Sequence, residues 1–389
     1  MKPVKIAKVA TTDISIAILL LDQIKKLQAM GYEVVAVCAP GPWVERIKRE
    51  GIFVETVPMA REIDLWQDLK SLVLFYQCFR KHRFDVVHTH TPKAGLLGPL
   101  AAKWAKVPTI VHTVHGFLCH DRTPCLQRLV FWLFEKITAS FSHYLLSQSQ
   151  EDVERAVEWK LCGPKKISYL GNGIDTAFFS PGEKAALRKQ LGFGEKDIII
   201  GTVGRLVYEK GYREFFEAAG ILVKKYSHLK FVLIGPKETD QKDAVTFDPE
   251  TLKPKEAYRF LGWQEDLRPW YSAFDIFVLT SHREGIPRAC MEAAAMQCPI
   301  VATNIRGCRE VVLQDVNGLL VEPRNGAAVA EALERLVLDE PLRREMGKKG
   351  RKHILEHFKR DFVLERLAAF YSERKPIPHQ VEKETCATY

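Results

Sequence analysis

Residues 280–301 read T-S-H-R-E-G-I-P-R-A-C-M-E-A-A-A-M-Q-C-P-I-V, and the organisation of the chain follows from how they fold. The run before them, D-I-F-V-L at 275–279, has the unbroken hydrophobicity of a strand covered on both faces of a parallel sheet. Glu284 and Gly285 then make a turn, Pro287 suits the first turn of a helix, and the helix runs to about Gln297. Cys298 and Pro299 lead into the next apolar strand. A strand, a tight turn and an outward-pointing helix N-terminus form an anion site, because free N–H groups and the helix dipole converge there. Glu284 and Glu292 flank that site. Carboxylates repel an anion unless they hold neutral hydroxyls on either side of it. A nucleotide sugar has that layout, with a diphosphate between a ribose and a hexose.

The alternation of strand and helix extends in both directions. Strands are expected at 4–10, 33–38, 53–57, 85–88, 109–112, 143–146 and 166–170, with helices at 14–30, 43–50, 64–81, 94–105, 124–140 and 151–158. After the turn-rich G-N-G-I-D at 171–175 a second series begins. Its strands fall at 198–203, 230–234, 258–261, 275–279, 300–303 and 318–321. This is α/β architecture with parallel sheets. We expect two facing, doubly wound, Rossmann-like domains: 1–178, and 179–360 carrying the anion site. A helix at 361–374 is expected to return to the first domain, residues 235–257 to be a surface insertion, and 375–389 a disordered tail. Ligands of such sheets bind at the carboxyl ends of the strands, where strand order switches. Facing domains place that site in a cleft between them.

Composition narrows the classes. The 389 residues are 47% hydrophobic and 27% charged, ordinary for a globular protein of two or three domains. Nine cysteines without a C-x-x-C pair suggest neither a zinc site nor a disulfide framework. The chain enters a strand pattern directly, and the longest apolar runs, 16–21 and 129–134, fall well short of the ~20 residues of a spanning helix. A cytoplasmic protein is expected, with peripheral membrane attachment as the variant. The net charge of +9 lies mostly in residues 1–178 and suits an anionic partner. Nucleic acid is not expected, since no basic-aromatic platform accompanies the charge.

A second loop points to the same chemistry. G-R-L-V-Y-E-K-G at 204–211 follows the first strand of the second series, on the same sheet edge as Glu284. Its glycines allow close backbone approach, and Arg205 and Lys210 can neutralise a diphosphate and stabilise its departure. This constellation resembles the retaining nucleotide-sugar glycosyltransferases of family 4, which have the GT-B fold. The resemblance is carried by 204–211, by Glu284 and Glu292 in R-E-G-I-P-R-A-C-M-E, and by N-I-R-G-C-R-E-V-V at 304–312. In the first domain it rests on F-D-V-V-H-T-H-T-P-K-A-G at 84–95, H-T-V-H-G at 112–116 and G-N-G-I-D. The wording is most similar to the branch that builds capsular, exopolysaccharide and lipid-linked bacterial glycans.

The resemblance implies that Arg205 and Lys210 hold the donor diphosphate, Glu292 the ribose, and Glu284 the transferred sugar. It also implies donor contacts at Gly262, Gly285, Ile286, Pro287 and Gly307, and places His115 at the sugar or the reacting centre. From the residues alone, His115 reads equally as a structural histidine. Glu310 is expected to cap a helix. Retention without a protein nucleophile is implied, the diphosphate leaving on the face that the acceptor attacks. No metal and no cofactor are expected; the donor, taken to be a UDP-sugar, is a substrate. One departure is clear. Family members often carry Gly-Gly after the first strand, whereas this chain has A-T-T-D-I-S at 10–15, so Thr11, Thr12 or Ser15 is expected to meet donor or acceptor. The acceptor is a glycan or a polyprenyl-diphosphate-linked glycan.

The segment 124–136, P-C-L-Q-R-L-V-F-W-L-F-E-K, is unusually apolar. It is read either as a core helix or as a helix whose aromatic face, with Arg122 and Arg128, meets an anionic membrane; Lys93 and Lys103 either join that basic surface or are solvated. The rival functions are a nucleotide-sugar epimerase and a non-catalytic nucleotide-sugar-binding protein. The sequence leaves the donor sugar, the acceptor, the linkage and the oligomeric state open.

Overall fold

The computed structural model describes residues 3–60, 64–119, 123–182, 184–237, 243–245 and 252–374. Much of the expected insertion and the whole expected tail at 375–389 therefore lie outside the described residues. The chain folds as two units. One runs to Gly171 and takes the chain up again at Val363; the other spans Asn172–Phe362. The units thus part within G-N-G-I-D, seven residues before the boundary the sequence suggested.

The first unit is built on a parallel sheet of β1 (Lys5–Val9), β2 (Glu33–Cys38), β3 (Phe53–Thr56), β4 (Val86–His90), β5 (Thr109–Val114), β6 (Tyr144–Ser147) and β7 (Ile167–Tyr169), in the order β3-β2-β1-β4-β5-β6-β7. Strand order reverses between β1 and β4. Alternate residues of each strand face opposite layers of helix. Ile6, Ala36, Val86 and Val111 pack against Ile24 and Leu27 of the Leu21–Ala29 helix. Val363, Leu367, Phe370 and Tyr371 of the C-terminal helix Arg360–Glu373 complete that core. Ala7, Val9, Val35 and Val87 face the Leu65–His82 and Pro92–Trp104 helices. Burial of side chains of this kind contributes about 1.5–3 kcal/mol each, so the C-terminal helix is an integral part of this unit. The helix expected over 14–30 is divided: a turn at Asp13–Ser15, a π-helical stretch Ile16–Leu20, then Leu21–Ala29. Asp13 accepts from the N–H groups of Ile14 (2.8 Å) and Trp43 (2.7 Å), which pins the start of this segment to the neighbouring loop.

The second unit repeats the plan with β8 (Ile198–Val203), β9 (Leu229–Ile234), β10 (Tyr258–Phe260), β11 (Ile276–Leu279), β12 (Ile300–Thr303) and β13 (Gly318–Val321), in the order β10-β9-β8-β11-β12-β13. All its strand pairs are parallel. Here the order reverses between β8 and β11. The loops leaving those two strands are 204–211 and 280–287, the stretches that carried the sequence argument. Among the described residues, no helix is long and apolar enough to cross a membrane.

Candidate active site

In the second unit the loops after β8 and β11 are laced together. Gly211 has φ +70, and a Cβ there would collide with the carbonyl of Thr280. Glycine is required at this point because two backbones touch. The Thr280 hydroxyl donates to Gly211 O (2.7 Å), His282 N–H donates to Glu209 O (2.8 Å), and Arg283 Nε donates to Glu209 Oε1 (2.6 Å). Burial alone would raise the Glu209 carboxyl, but Arg283, with Lys210 and Arg205, outweighs it and holds the group below its ordinary value.

This lacing brings two of the selected charges together. Lys210 Nζ lies 2.6 Å from Glu284 Oε1, with the side chains 21% and 12% exposed. Ser281 Oγ donates to the same oxygen at 2.7 Å. Arg205 is exposed on the same loop.

Glu292 sits in the helix Arg288–Ala295, of which Pro287 is the N-cap and not, as expected, the first helical residue. Its carboxylate is 7% exposed. Oε1 accepts from Arg288 Nε (2.7 Å) and Oε2 from the Tyr271 hydroxyl (3.1 Å). Burial still dominates and holds the carboxyl above its ordinary value. Neither partner was selected from the sequence. Arg288 could have been, since it lies four residues before Glu292 on one helix face; Tyr271 arrives from a different helix and left no local signal.

Gly307 has φ +81, and a Cβ there would collide with the carbonyl of Gly285. Thr303 Oγ1 donates to Ser281 O at 2.5 Å, so the loop after β12 rests on the loop after β11. Gly307, not Glu310, holds the N-cap position of the short helix Cys308–Val311; Glu310 lies in its first turn. The reason is steric: only glycine permits the contact at this bend. Ile286 is buried in the core, and its carbonyl accepts from Asn172 Nδ2 (3.4 Å). Gly262 follows β10 with φ +63 and open space beside its Cα. These positions all lie at the carboxyl edge of one sheet.

In the first unit, Thr11 is buried. Its hydroxyl bonds that of Thr91 (2.7 Å) and accepts from Ala94 N–H (3.3 Å), at the start of the Pro92–Trp104 helix. Thr12 and Ser15, both partly exposed, bond each other through their hydroxyls (2.8 Å). His115, partly exposed beyond the end of β5, lies with Nε2 3.0 Å from His90 Nδ1. Burial, helped by the nearby Lys8, pushes its pKa down to about 4; the ring is neutral at pH 7. Lys8, and His88 and His90 of the H-T-H-T stretch, for which the sequence suggested no separate role, are buried behind it. Among the described residues no group of three or more His, Cys, Asp and Glu is placed to hold a metal ion.

The 124–136 segment forms part of the helix Cys125–Phe141, of which only Thr138 and Ala139 are buried. Leu126, Leu129, Val130 and Leu133 are exposed, at 76%, 62%, 43% and 51%. A core helix would hide those side chains. Arg122 lies outside the described residues, and Lys93 is held by Asp68 at 2.7 Å with 10% exposure, so it forms no part of a basic surface.

Comparison with known proteins bears on both units. Residues 183–353 match the family Glycosyl transferases group 1, and residues 16–173 match the Glycosyl transferase 4-like domain. The chain is 30% identical over 382 residues to the capsular polysaccharide biosynthesis glycosyltransferase CapM of Staphylococcus aureus, covering 96% of this chain and 98% of that one. It is 33% identical over 310 residues to the UDP-Gal:alpha-D-GlcNAc-diphosphoundecaprenol alpha-1,3-galactosyltransferase of Escherichia coli, covering 79% of each. Among solved structures it is similar to Anabaena HepE in complex with UDP-glucose, with a TM-score of 0.78 and 19% identity over 95% of this chain and 99% of that one.

Proposed function

The chain belongs to the glycosyl transferases of group 1, as a glycosyltransferase of the kind that builds bacterial capsular and lipid-linked glycans, and from that premise we propose a specific reaction for it. It moves a sugar from a UDP-sugar to a polyprenyl-diphosphate-linked glycan, with retention of anomeric configuration and without a metal ion. The observation that carries this reading is the Lys210–Glu284 contact of 2.6 Å at the strand-order switch of the second unit, with Arg205 on the same loop. The donor diphosphate takes Lys210 from Glu284 and engages Arg205. Glu284 is freed for the hydroxyls of the transferred sugar, and Glu292 receives the ribose. The acceptor hydroxyl attacks the anomeric carbon on the face from which the diphosphate leaves. Its proton passes to the departing phosphate oxygen, so the protein supplies charge and orientation and no nucleophile.

Purified protein incubated with a panel of nucleotide sugars and a polyprenyl-diphosphate-linked saccharide tests this. UDP release that requires the acceptor, survives chelation of divalent metals and yields a product of unchanged anomeric configuration supports the reading. Conversion of the donor without acceptor would identify an epimerase, and binding without turnover a non-catalytic protein. The exposed Leu126, Leu129, Val130 and Leu133 supply a membrane contact beside the lipid-linked acceptor. Replacing Leu129 and Leu133 by Glu should abolish co-sedimentation with anionic vesicles while preserving transfer to a short-chain, water-soluble acceptor. Undiminished vesicle binding would refute the contact.

A further inference from the structure

Behind His115 the first unit contains a file of polar side chains for which the proposed transfer has no use. Lys8 of β1 and His88 of β4 lie in register on neighbouring strands, His90 is two residues further along β4, and His115 stands past the end of β5. Lys8 is fully buried, and its contacts are 3.1 Å to Gln23 Oε1, 2.9 Å to His88 Nδ1 and 3.4 Å to His90 Nε2. His90 Nδ1 lies 3.0 Å from His115 Nε2. At the other end, His88 places Nδ1 2.9 Å from the Tyr371 hydroxyl and Nε2 2.7 Å from Thr113 Oγ1. The groups facing Lys8 come from the Leu21–Ala29 helix (Gln23), from β4 (His88 and His90), and through them from β5 and its exit (Thr113, His115) and the C-terminal helix (Tyr371). None of these is a carboxylate. A buried amine beside imidazoles without an acid is costly in a core, which argues for a use.

The hydrogens along this file can be counted. Tyr371 keeps its phenolic hydrogen, burial holding the group above its ordinary value, and His88 Nδ1 is the acceptor the described residues offer it. The hydroxyl therefore donates to Nδ1, and His88 carries its hydrogen on Nε2, facing Thr113. With that lone pair taken, Lys8 directs its N–H groups to the remaining acceptors, Gln23 Oε1 and His90 Nε2. His90 then carries its hydrogen on Nδ1 and gives it to His115 Nε2. His115 is left with its own hydrogen on Nδ1, and the ring also bonds the Gln148 side chain.

We propose that Lys8 is a positioning residue: acting through His90, it fixes His115 as a neutral imidazole whose one hydrogen sits on Nδ1, shared with Gln148 in the free protein and passed to a substrate oxygen when donor binds, so that His115 serves as an oriented hydrogen-bond donor and not as a base. The proposal rests on the reading of His115 as a group at the reacting centre. It suits a transfer in which the departing diphosphate takes the acceptor proton, because a histidine titrating near neutrality would compete for it, whereas an oriented donor needs no reorganisation. Burial holds Lys8 well below its ordinary value; burial first, and repulsion from Lys8 and neighbouring histidines second, hold His88 and His90 well below theirs, and burial with Lys8 holds His115 at about 4.

The test is imidazole 15N NMR on ligand-free protein, read for wild type, Lys8→Met and Tyr371→Phe. Wild type should show His115 as the Nδ1–H tautomer, with no titration between about pH 8 and 5.5. In Lys8→Met the His115 tautomers should mix and the ring should begin to titrate towards its ordinary range. The kcat for transfer should fall by roughly 10-fold or more with KM for the nucleotide sugar little changed. A folded Lys8→Met protein whose His115 keeps one tautomer and still does not titrate overturns the proposal, as does an Nε2–H tautomer in wild type. Should Met at position 8 prevent folding, Tyr371→Phe decides: it frees His88 Nδ1 to draw the Lys8 hydrogen, so mixing at His115 is expected and an unchanged spectrum refutes the lock. The spectra need neither donor nor acceptor, so this outcome and that of the transfer assay are read separately.

Discussion

Removing the charge of Glu284 should tighten the binding of a nucleoside diphosphate, although it should impair transfer. In the free protein Lys210 is paired with Glu284 at 2.6 Å, and the diphosphate must draw it away. At an effective dielectric of about 20, two unit charges at that distance attract by roughly 6 kcal/mol before desolvation and side-chain entropy are subtracted. Exposed pairs retain ~0.2–1 kcal/mol after those subtractions, and breaking a buried pair costs ~3–5 kcal/mol. With 21% and 12% of the two side chains exposed, the pair falls between these limits, at about 1–2 kcal/mol. Glu284→Gln therefore releases Lys210 and should lower the Kd for UDP by roughly 5- to 30-fold. Lys210→Met removes a charge-assisted contact worth about 1.5–3 kcal/mol and should raise that Kd by roughly 10- to 150-fold. The two substitutions act in opposite directions on binding, yet each should cut turnover by about 10²-fold or more. Isothermal titration with UDP, which has no hexose for Glu284 to hold, isolates the electrostatic part. Weaker UDP binding in Glu284→Gln, or equal binding in all three proteins, would refute the reasoning.

Other substitutions probe the rest of the site. Glu292→Gln should weaken UDP binding by roughly 10-fold or more through the lost ribose contact, measured by the same titration. It should not cost stability at neutral pH. The folded carboxyl titrates above its ordinary value, so its stabilising contribution is full below the unfolded pKa and is lost as pH rises; the variant should melt at or above wild type at pH 7.5, and its margin should shrink towards pH 4. Gly307→Ala forces a side chain into φ +81 against the Gly285 carbonyl. It should cost about 2–4 kcal/mol from backbone strain and overlap, which is roughly 5–15 °C in the melting of a unit this size. The histidines around Lys8 titrate below their ordinary values. Their stabilising contribution is present above about pH 6.5 and is lost as pH falls, so amides of β1, β4 and β5 should lose hydrogen-exchange protection between pH 7 and 5.

The sequence revealed the architecture because continuous apolar runs alternating with helical periodicity have few other solutions than doubly wound sheets. It revealed the loops of the second unit because Gly204, Gly211, Glu284 and Gly285 fall in the connections that leave β8 and β11, where backbone freedom and charge are chemically informative. Tyr271 was not legible: it reaches Glu292 across 21 residues from another helix, and periodicity marks it only as buried. Lys8 was not singled out for a related reason. A lysine in a strand reads as solvent-facing, whereas here its partners lie 15, 80 and 82 residues away. The helix Cys125–Phe141 stayed ambiguous because an apolar helix segment looks the same whether it meets a sheet or a bilayer. Glu310 was misassigned as a cap since its residue type favours helix starts, while the bend at Gly307 is decided by a contact with Gly285 that no local pattern encodes.

The central claim is that a nucleoside diphosphate lies at the carboxyl edge of the second sheet between Arg205 and Lys210. A crystal structure of the protein with UDP tests it most directly. The account predicts phosphate oxygens within ~3 Å of the Lys210 amine and the Arg205 guanidinium, Lys210 withdrawn from Glu284, and the ribose at Glu292. Ordered UDP held elsewhere, with the Lys210–Glu284 pair intact, would contradict it.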